Sequence, residues 1–88
     1  MVEQTVIIQN KYGLHARPAA KFVEIASRFN ADVIISKDGI EVNGKSIMGV
    51  LMLAAEKGAK LCLKINGPDE DTAVKELTAL LDGKFNEE

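Results

Sequence analysis

Residues 60–65 read Lys60-Leu61-Cys62-Leu63-Lys64-Ile65, a strict alternation of two kinds of side chain. At the two-residue period of a strand, Leu61, Leu63 and Ile65 point one way and Lys60, Cys62 and Lys64 the other. One face is made for a core and the other for water. A strand of that kind belongs to a sheet covered on one side only.

The rest of the chain supplies partners for it. Thr5-Val6-Ile7-Ile8 is a β-branched run, Asp32-Val33-Ile34-Ile35-Ser36 a second strand and Ile40-Glu41-Val42 a short third. Lys37-Asp38-Gly39 has hairpin chemistry and Asn43-Gly44 is a further turn. Three segments have helical spacing instead. The first follows Pro18, carries Phe22, Val23, Ala26 and Phe29, and is predicted to run to about Phe29-Asn30. Ser46 is a natural N-cap for a second, predicted from Ile47 to about Glu56 with Gly58 as its stop and Val50, Leu51 and Ala54 as its core contacts. Gly67-Pro68-Asp69 opens a third, with acids in its first turn, a stripe of Val74, Leu77, Leu80 and Leu81, and Gly83 at its end. The order β-α-β-β-α-β-α predicts an α+β fold with helices on one face of an antiparallel or mixed sheet. Periodicity leaves the strand order open, and a ferredoxin-like arrangement fits the same string.

Eighty-eight residues make one domain, 1–88, large enough to fold without staples. Cys62 is the only cysteine, which excludes an intramolecular disulfide and suits a reducing compartment. No basic run followed by an apolar stretch opens the sequence, and no apolar run nears the roughly 20 residues of a membrane span. The expectation is a cytoplasmic protein with no membrane insertion. Net charge is −2, against nucleic acid as a partner. Residues 1–65 hold nine basic and six acidic side chains (+3), whereas residues 66–88 hold two and seven (−5). The amino-terminal part suits an anionic ligand or an acidic partner, although on charge alone an acidic tail serving solubility is the simpler reading.

That part contains His15-Ala16-Arg17-Pro18-Ala19, with the only histidine. Proline is at home in the first turn of a helix, so His15 is predicted at or just before a helix N-terminus. Backbone N–H groups and the positive end of the helix dipole lie there, and Arg17 adds a full charge. A nucleophilic imidazole beside a built-in anion site points to chemistry on phosphate.

Other motifs carry less. Gly39-Ile40-Glu41-Val42-Asn43-Gly44-Lys45-Ser46 fits the Walker A pattern, but Ile40 and Val42 alternate like a strand and Glu41 would sit among phosphate oxygens. No later strand ends in an acid placed to hold magnesium, so a nucleotide-binding enzyme is not expected. Ser46 reads as a helix cap that a phosphate could also occupy. Ile47 and Met48, at the start of a short and crowded apolar helix, are either buried with the rest or left exposed as a patch for partners. Cys62, with no second cysteine or nearby histidine, is incidental.

Two stretches together carry a resemblance over essentially the whole chain: Gly13-Leu14-His15-Ala16-Arg17-Pro18-Ala19 and Asn43-Gly44-Lys45-Ser46-Ile47-Met48-Gly49-Val50. The sequence resembles the HPr family, histidine-containing phosphocarriers of the bacterial phosphoenolpyruvate-dependent sugar phosphotransferase system. The Gly67-Pro68-Asp69-Glu70 helix start is similar too. The resemblance implies an open-faced β-sandwich, a four-stranded antiparallel sheet in the order 1-4-2-3 with three helices on one face. It implies that His15 accepts a phosphoryl group from enzyme I and passes it to an enzyme II A component. Ala16 and Arg17 would hold the phosphate, Ser46 would be a regulatory phosphorylation site, and Ala20, Ile47, Met48 and Leu51 would form the docking patch. It further implies a monomeric carrier rather than an enzyme, with no cofactor or metal, and as further partners an HPr kinase/phosphorylase and a transcriptional regulator. A histidine at position 15 sets the chain apart from the catabolite-repression paralogue that lacks the phosphoacceptor. Glu24 and Ser27 stand where some members place basic residues, so no particular enzyme II is implied, and carbon or nitrogen signalling is an alternative role.

Overall fold

Seven elements follow one another: β1 (Val2–Ile7), α1 (Ala16–Ala26), β2 (Asp32–Lys37), β3 (Ile40–Asn43), α2 (Ile47–Met52), β4 (Lys60–Asn66) and α3 (Glu70–Asp82). The structure is a computed structural model and describes residues 1–83; the last part of the acidic carboxy-terminal segment lies outside the described residues. The four strands form one sheet in the order β1-β4-β2-β3, with every pairing antiparallel. The ferredoxin-like alternative is thereby excluded, and the order implied by the family resemblance holds.

Register turns the alternation of β4 into a two-faced sheet. Leu61, Leu63 and Ile65 stand opposite Val6, Gln4 and Val2, and Leu63 and Ile65 also oppose Ile35 and Val33. Val6, Val33, Ile35, Leu61, Leu63 and Ile65 are all buried. Against them pack Ala19, Phe22 and Ala26 of α1, Val50 of α2, and Ala73, Leu77 and Leu81 of α3. The other face carries Thr5, Cys62, Ser36 and Glu41 in one row, with Lys64 reaching Glu41 at 2.8 Å. The Asp38-Gly39 turn between β2 and β3 has both residues at positive φ (51° and 83°), the geometry that a two-residue hairpin requires.

Several boundaries differ from those expected. β1 starts at Val2 rather than Thr5, because Glu3 and Gln4 face Lys64 and Leu63 and gain ladder hydrogen bonds despite their polarity. α1 ends at Ala26, where single-turn bonds from Arg28 to the Ile25 carbonyl and from Phe29 to the Ala26 carbonyl tighten the chain. α2 is the largest correction: it stops at Met52, not near Glu56. Ala54 takes a left-handed φ of 48°, Lys37 Nζ donates to the Leu53 carbonyl at 3.1 Å, and the Ala55 carbonyl is turned towards Leu14. Ala54 is therefore exposed, and Leu53 and Ala55 take the core places instead. In α3 the fully buried stripe is Ala73, Leu77 and Leu81, with Val74 and Leu80 packed on its margin. Gly83 caps it as expected.

At the far end of α1 from His15, side chains fasten the turns. The Asp69 carboxylate accepts from the backbone N–H of Asn30 and of Ala31, both at 2.9 Å. Lys45 Nζ donates to the Phe29 carbonyl at 2.7 Å. Glu70 accepts from the Gly67 N–H at 3.0 Å and pairs with the amino-terminal ammonium at 3.2 Å. The Asn30 amide, with help from Ala31 and the Lys45 charge, holds the Asp69 carboxyl below its ordinary range. The Gly67 amide and the amino terminus do the same for Glu70.

Candidate functional site

The segment before α1 is set by a buried asparagine and a glycine. Asn10 is 1% exposed; its Nδ2 donates to the Gly13 carbonyl, and its own carbonyl accepts the Gly13 N–H at 3.1 Å. Gly13 stands at φ 69°, and a Cβ there would come 2.3 Å from the Ala55 carbonyl oxygen. Only glycine fits. Leu14 then buries its side chain and donates its N–H to that carbonyl at 2.8 Å. Ile8 is laced to the same strip, donating to the Ala59 carbonyl (3.0 Å) and accepting from Gly58 (2.9 Å). The chain is thus pinned by its backbone just before it turns into the helix.

His15 is the N-cap of α1, in extended conformation (φ −82°, ψ −170°). Its carbonyl accepts the Ala19 N–H at 2.9 Å and starts the helical ladder. Its side chain makes no capping bond and is exposed. Pro18, third in the helix and buried, has no N–H, so the first-turn donors outside the ladder belong to Ala16 and Arg17. Both residues are exposed. The imidazole meets the Tyr12 ring edge to face, with centroids 6.2 Å apart and planes at 81°. Lys11 Nζ lies over that tyrosine at 5.3 Å. Neither Tyr12 nor Asn10 was signalled in the sequence, because nothing periodic marks a loop residue.

The second predicted group sits along the neighbouring helix. Ser46 is half-buried and its Oγ accepts the Gly49 N–H at 3.1 Å, the capping bond expected of it. Ile47 (44%) and Met48 (71%) are exposed. Leu51 is half-buried and leans on the core, whereas Met52 is 73% exposed. Ala20 is exposed on α1, which packs beside α2. The structure thus gathers His15, Ala16, Arg17 and Ala20 on one helix and Ser46, Ile47, Met48 and Leu51 on the adjacent one. Glu24 faces water and pairs with Lys21 (3.8 Å) and Arg28 (3.9 Å); Ser27 is the exposed C-cap.

The Walker-like stretch contains β3, hydrogen-bonded to β2, rather than a loop that could wrap a phosphate. Cys62 is a half-buried free thiol on the open sheet face. Among the described residues, no group of three or more His, Cys, Asp or Glu is placed to hold a metal ion, and no helix is long and apolar enough to cross a membrane.

The family model for the HPr component phosphorylation site of the phosphotransferase system matches residues 2–82. The chain belongs to the HPr family of the phosphotransferase system. The phosphocarrier protein HPr of Xylella fastidiosa (strain 9a5c) is 47% identical over 88 residues, 100% of this chain and 99% of that protein. Among solved structures, HPr-C-His from Thermoanaerobacter tengcongensis superposes with a TM-score of 0.96 at 48% identity, covering 100% of this chain and 99% of the other. An HPr dimer from the same organism matches with a TM-score of 0.80 at 47% identity, over 99% of this chain and 100% of that one. HPr membership and the 1-4-2-3 sheet agree with one another, and the candidate residues lie inside the stretch the family model covers.

Proposed function

We infer that this chain carries phosphoryl groups on His15, between enzyme I, which takes them from phosphoenolpyruvate, and an enzyme II A component. A ring nitrogen of the imidazole attacks phosphorus as the bond from phosphorus to the donor breaks, and the reverse exchange delivers the group onward. The backbone N–H groups of Ala16 and Arg17, the positive end of α1 and the Arg17 guanidinium hold the phosphoryl oxygens. One observation carries the reading: an exposed imidazole at the N-cap position of α1 that spends no bond on capping the helix. The protein acts as carrier rather than enzyme and as a monomer, with Ala20, Ile47, Met48 and Leu51 taking part in docking.

Incubation with enzyme I, magnesium and labelled phosphoenolpyruvate tests it. The wild-type chain should take up acid-labile phosphate and His15→Ala should take up none; uptake by His15→Ala would remove the assignment.

The exposed Ile47 and Met48 beside Ser46 favour a second, compatible reading. Phosphorylation of Ser46 by an HPr kinase/phosphorylase adds nearly two negative charges at the start of α2, where the positive end of the helix tolerates them, and retunes the patch for partners such as a transcriptional regulator.

A further inference from the structure

α2 ends without a basic residue in its last turn, and the positive charge found there comes from another element. Lys37, the half-buried last residue of β2, donates from Nζ to the Leu53 carbonyl at 3.1 Å and reaches the Ala54 carbonyl at 3.4 Å. Carbonyls at the end of a helix lie outside its ladder and at the negative end of its dipole. Ala54 takes a left-handed φ of 48°, a conformation that is unfavourable for alanine and lasts only where the surroundings enforce it. Leu53 and Ala55 bury their side chains on either side, and the ammonium gathers the two carbonyls between them. The next carbonyl, that of Ala55, accepts the Leu14 N–H at 2.8 Å and walls off Gly13. Leu14 stands one residue before His15. A bonded line therefore runs from the end of β2, through residues 53–55, to the backbone that delivers the imidazole.

We propose that Lys37 is a positioning residue for phosphoryl transfer: its ammonium holds the turn at residues 53–55, and that turn sets where the segment before α1 places His15. The proposal rests on the phosphocarrier reading above. Lys37 acts through the bond between the Ala55 carbonyl and the Leu14 amide and forms no bond to phosphorus. It fastens the strip behind the site and leaves the site's own side chains facing outward. A displacement of about 1 Å at a reacting group can cost on the order of a hundredfold in rate. Slack in a backbone anchor one residue from the phosphoacceptor is therefore felt in the transfer step.

The test compares wild type, Lys37→Met and Lys37→Arg. Methionine keeps an unbranched stem and loses the charge and the donors; arginine keeps both. The first readout is the Leu14 amide proton, by its chemical shift and the temperature dependence of that shift. In Lys37→Met both should move towards those of a solvated amide, while the amides of Leu77 and Leu81 in α3 stay in place. These are properties of the native state, which a uniform loss of stability does not move. The second readout is steady-state transfer from enzyme I to each variant. In Lys37→Met turnover at saturation should fall about threefold with KM unchanged, and Lys37→Arg should restore both readouts. An unmoved Leu14 amide in Lys37→Met would overturn the link. A moved amide with unchanged turnover would overturn the positioning role, and a change in KM alone would make Lys37 a docking contact instead. A loss that arginine does not reverse would overturn the role of the donated charge. A wild-type chain that took up no phosphate would overturn the carrier reading and the proposal with it, and is told apart because the unsubstituted protein is then itself silent.

Discussion

The two ends of α1 are held in opposite ways. At the far end, ionic side chains are consumed by structure: Asp69 holds the amides of residues 30 and 31, Lys45 a carbonyl, Glu70 an amide and the amino terminus. At the His15 end, the work is done by backbone groups, one buried amide and one glycine, and the charged and aromatic side chains face outward. A site that must present chemistry to partners is built best where its side chains are not needed as fasteners.

Gly13→Ala should break the comparison most sharply. A methyl group driven into the Ala55 carbonyl at a left-handed φ should cost about 3 kcal/mol, seen as a fall of more than 10 °C in melting temperature. It should also displace the His15 resonances. Asp69→Asn should act at the other end: a smaller loss of stability, with phosphate uptake by His15 unchanged below the melting range. Its effect should depend on pH. Because the native carboxyls of Asp69 and Glu70 titrate below their unfolded values, their contribution is complete above about pH 5 and is lost as pH falls through the native values. The difference between wild type and Asp69→Asn should therefore shrink on acidification, as measured by urea melts from pH 6 downward. Ser46→Ala, losing a cap bond, should cost about 1 kcal/mol with uptake on His15 intact. Glu24→Ala should change neither stability nor uptake measurably, its two pairs being long and solvent-exposed.

Much of this was legible in the sequence, and the gaps have reasons. The alternation of Lys60–Ile65 gave a one-sided sheet because burial follows the pleat, and Pro18 placed His15 because proline lacks an N–H. Strand order was not written in any strand: a period of two says which way side chains point, not which strand lies alongside, and only the family resemblance supplied it. The early end of α2 was hidden because a left-handed alanine leaves no compositional mark. Asp69 read only as part of the opening of α3, yet its carboxylate serves amides 38 and 39 residues earlier. The ring contact of Tyr12 with His15 was likewise invisible, since neither residue type nor spacing demands it.

The sheet order also governs when the molecule can be completed. β1 is an edge strand whose only strand neighbour is β4, so Val2–Ile7 must wait for Lys60–Asn66. On a ribosome Val2–Ile7 emerges well before its partner strand and is among the last segments to be paired. Through most of synthesis β1 lies without its ladder, and closing the longest strand-to-strand loop of the sheet becomes a late event.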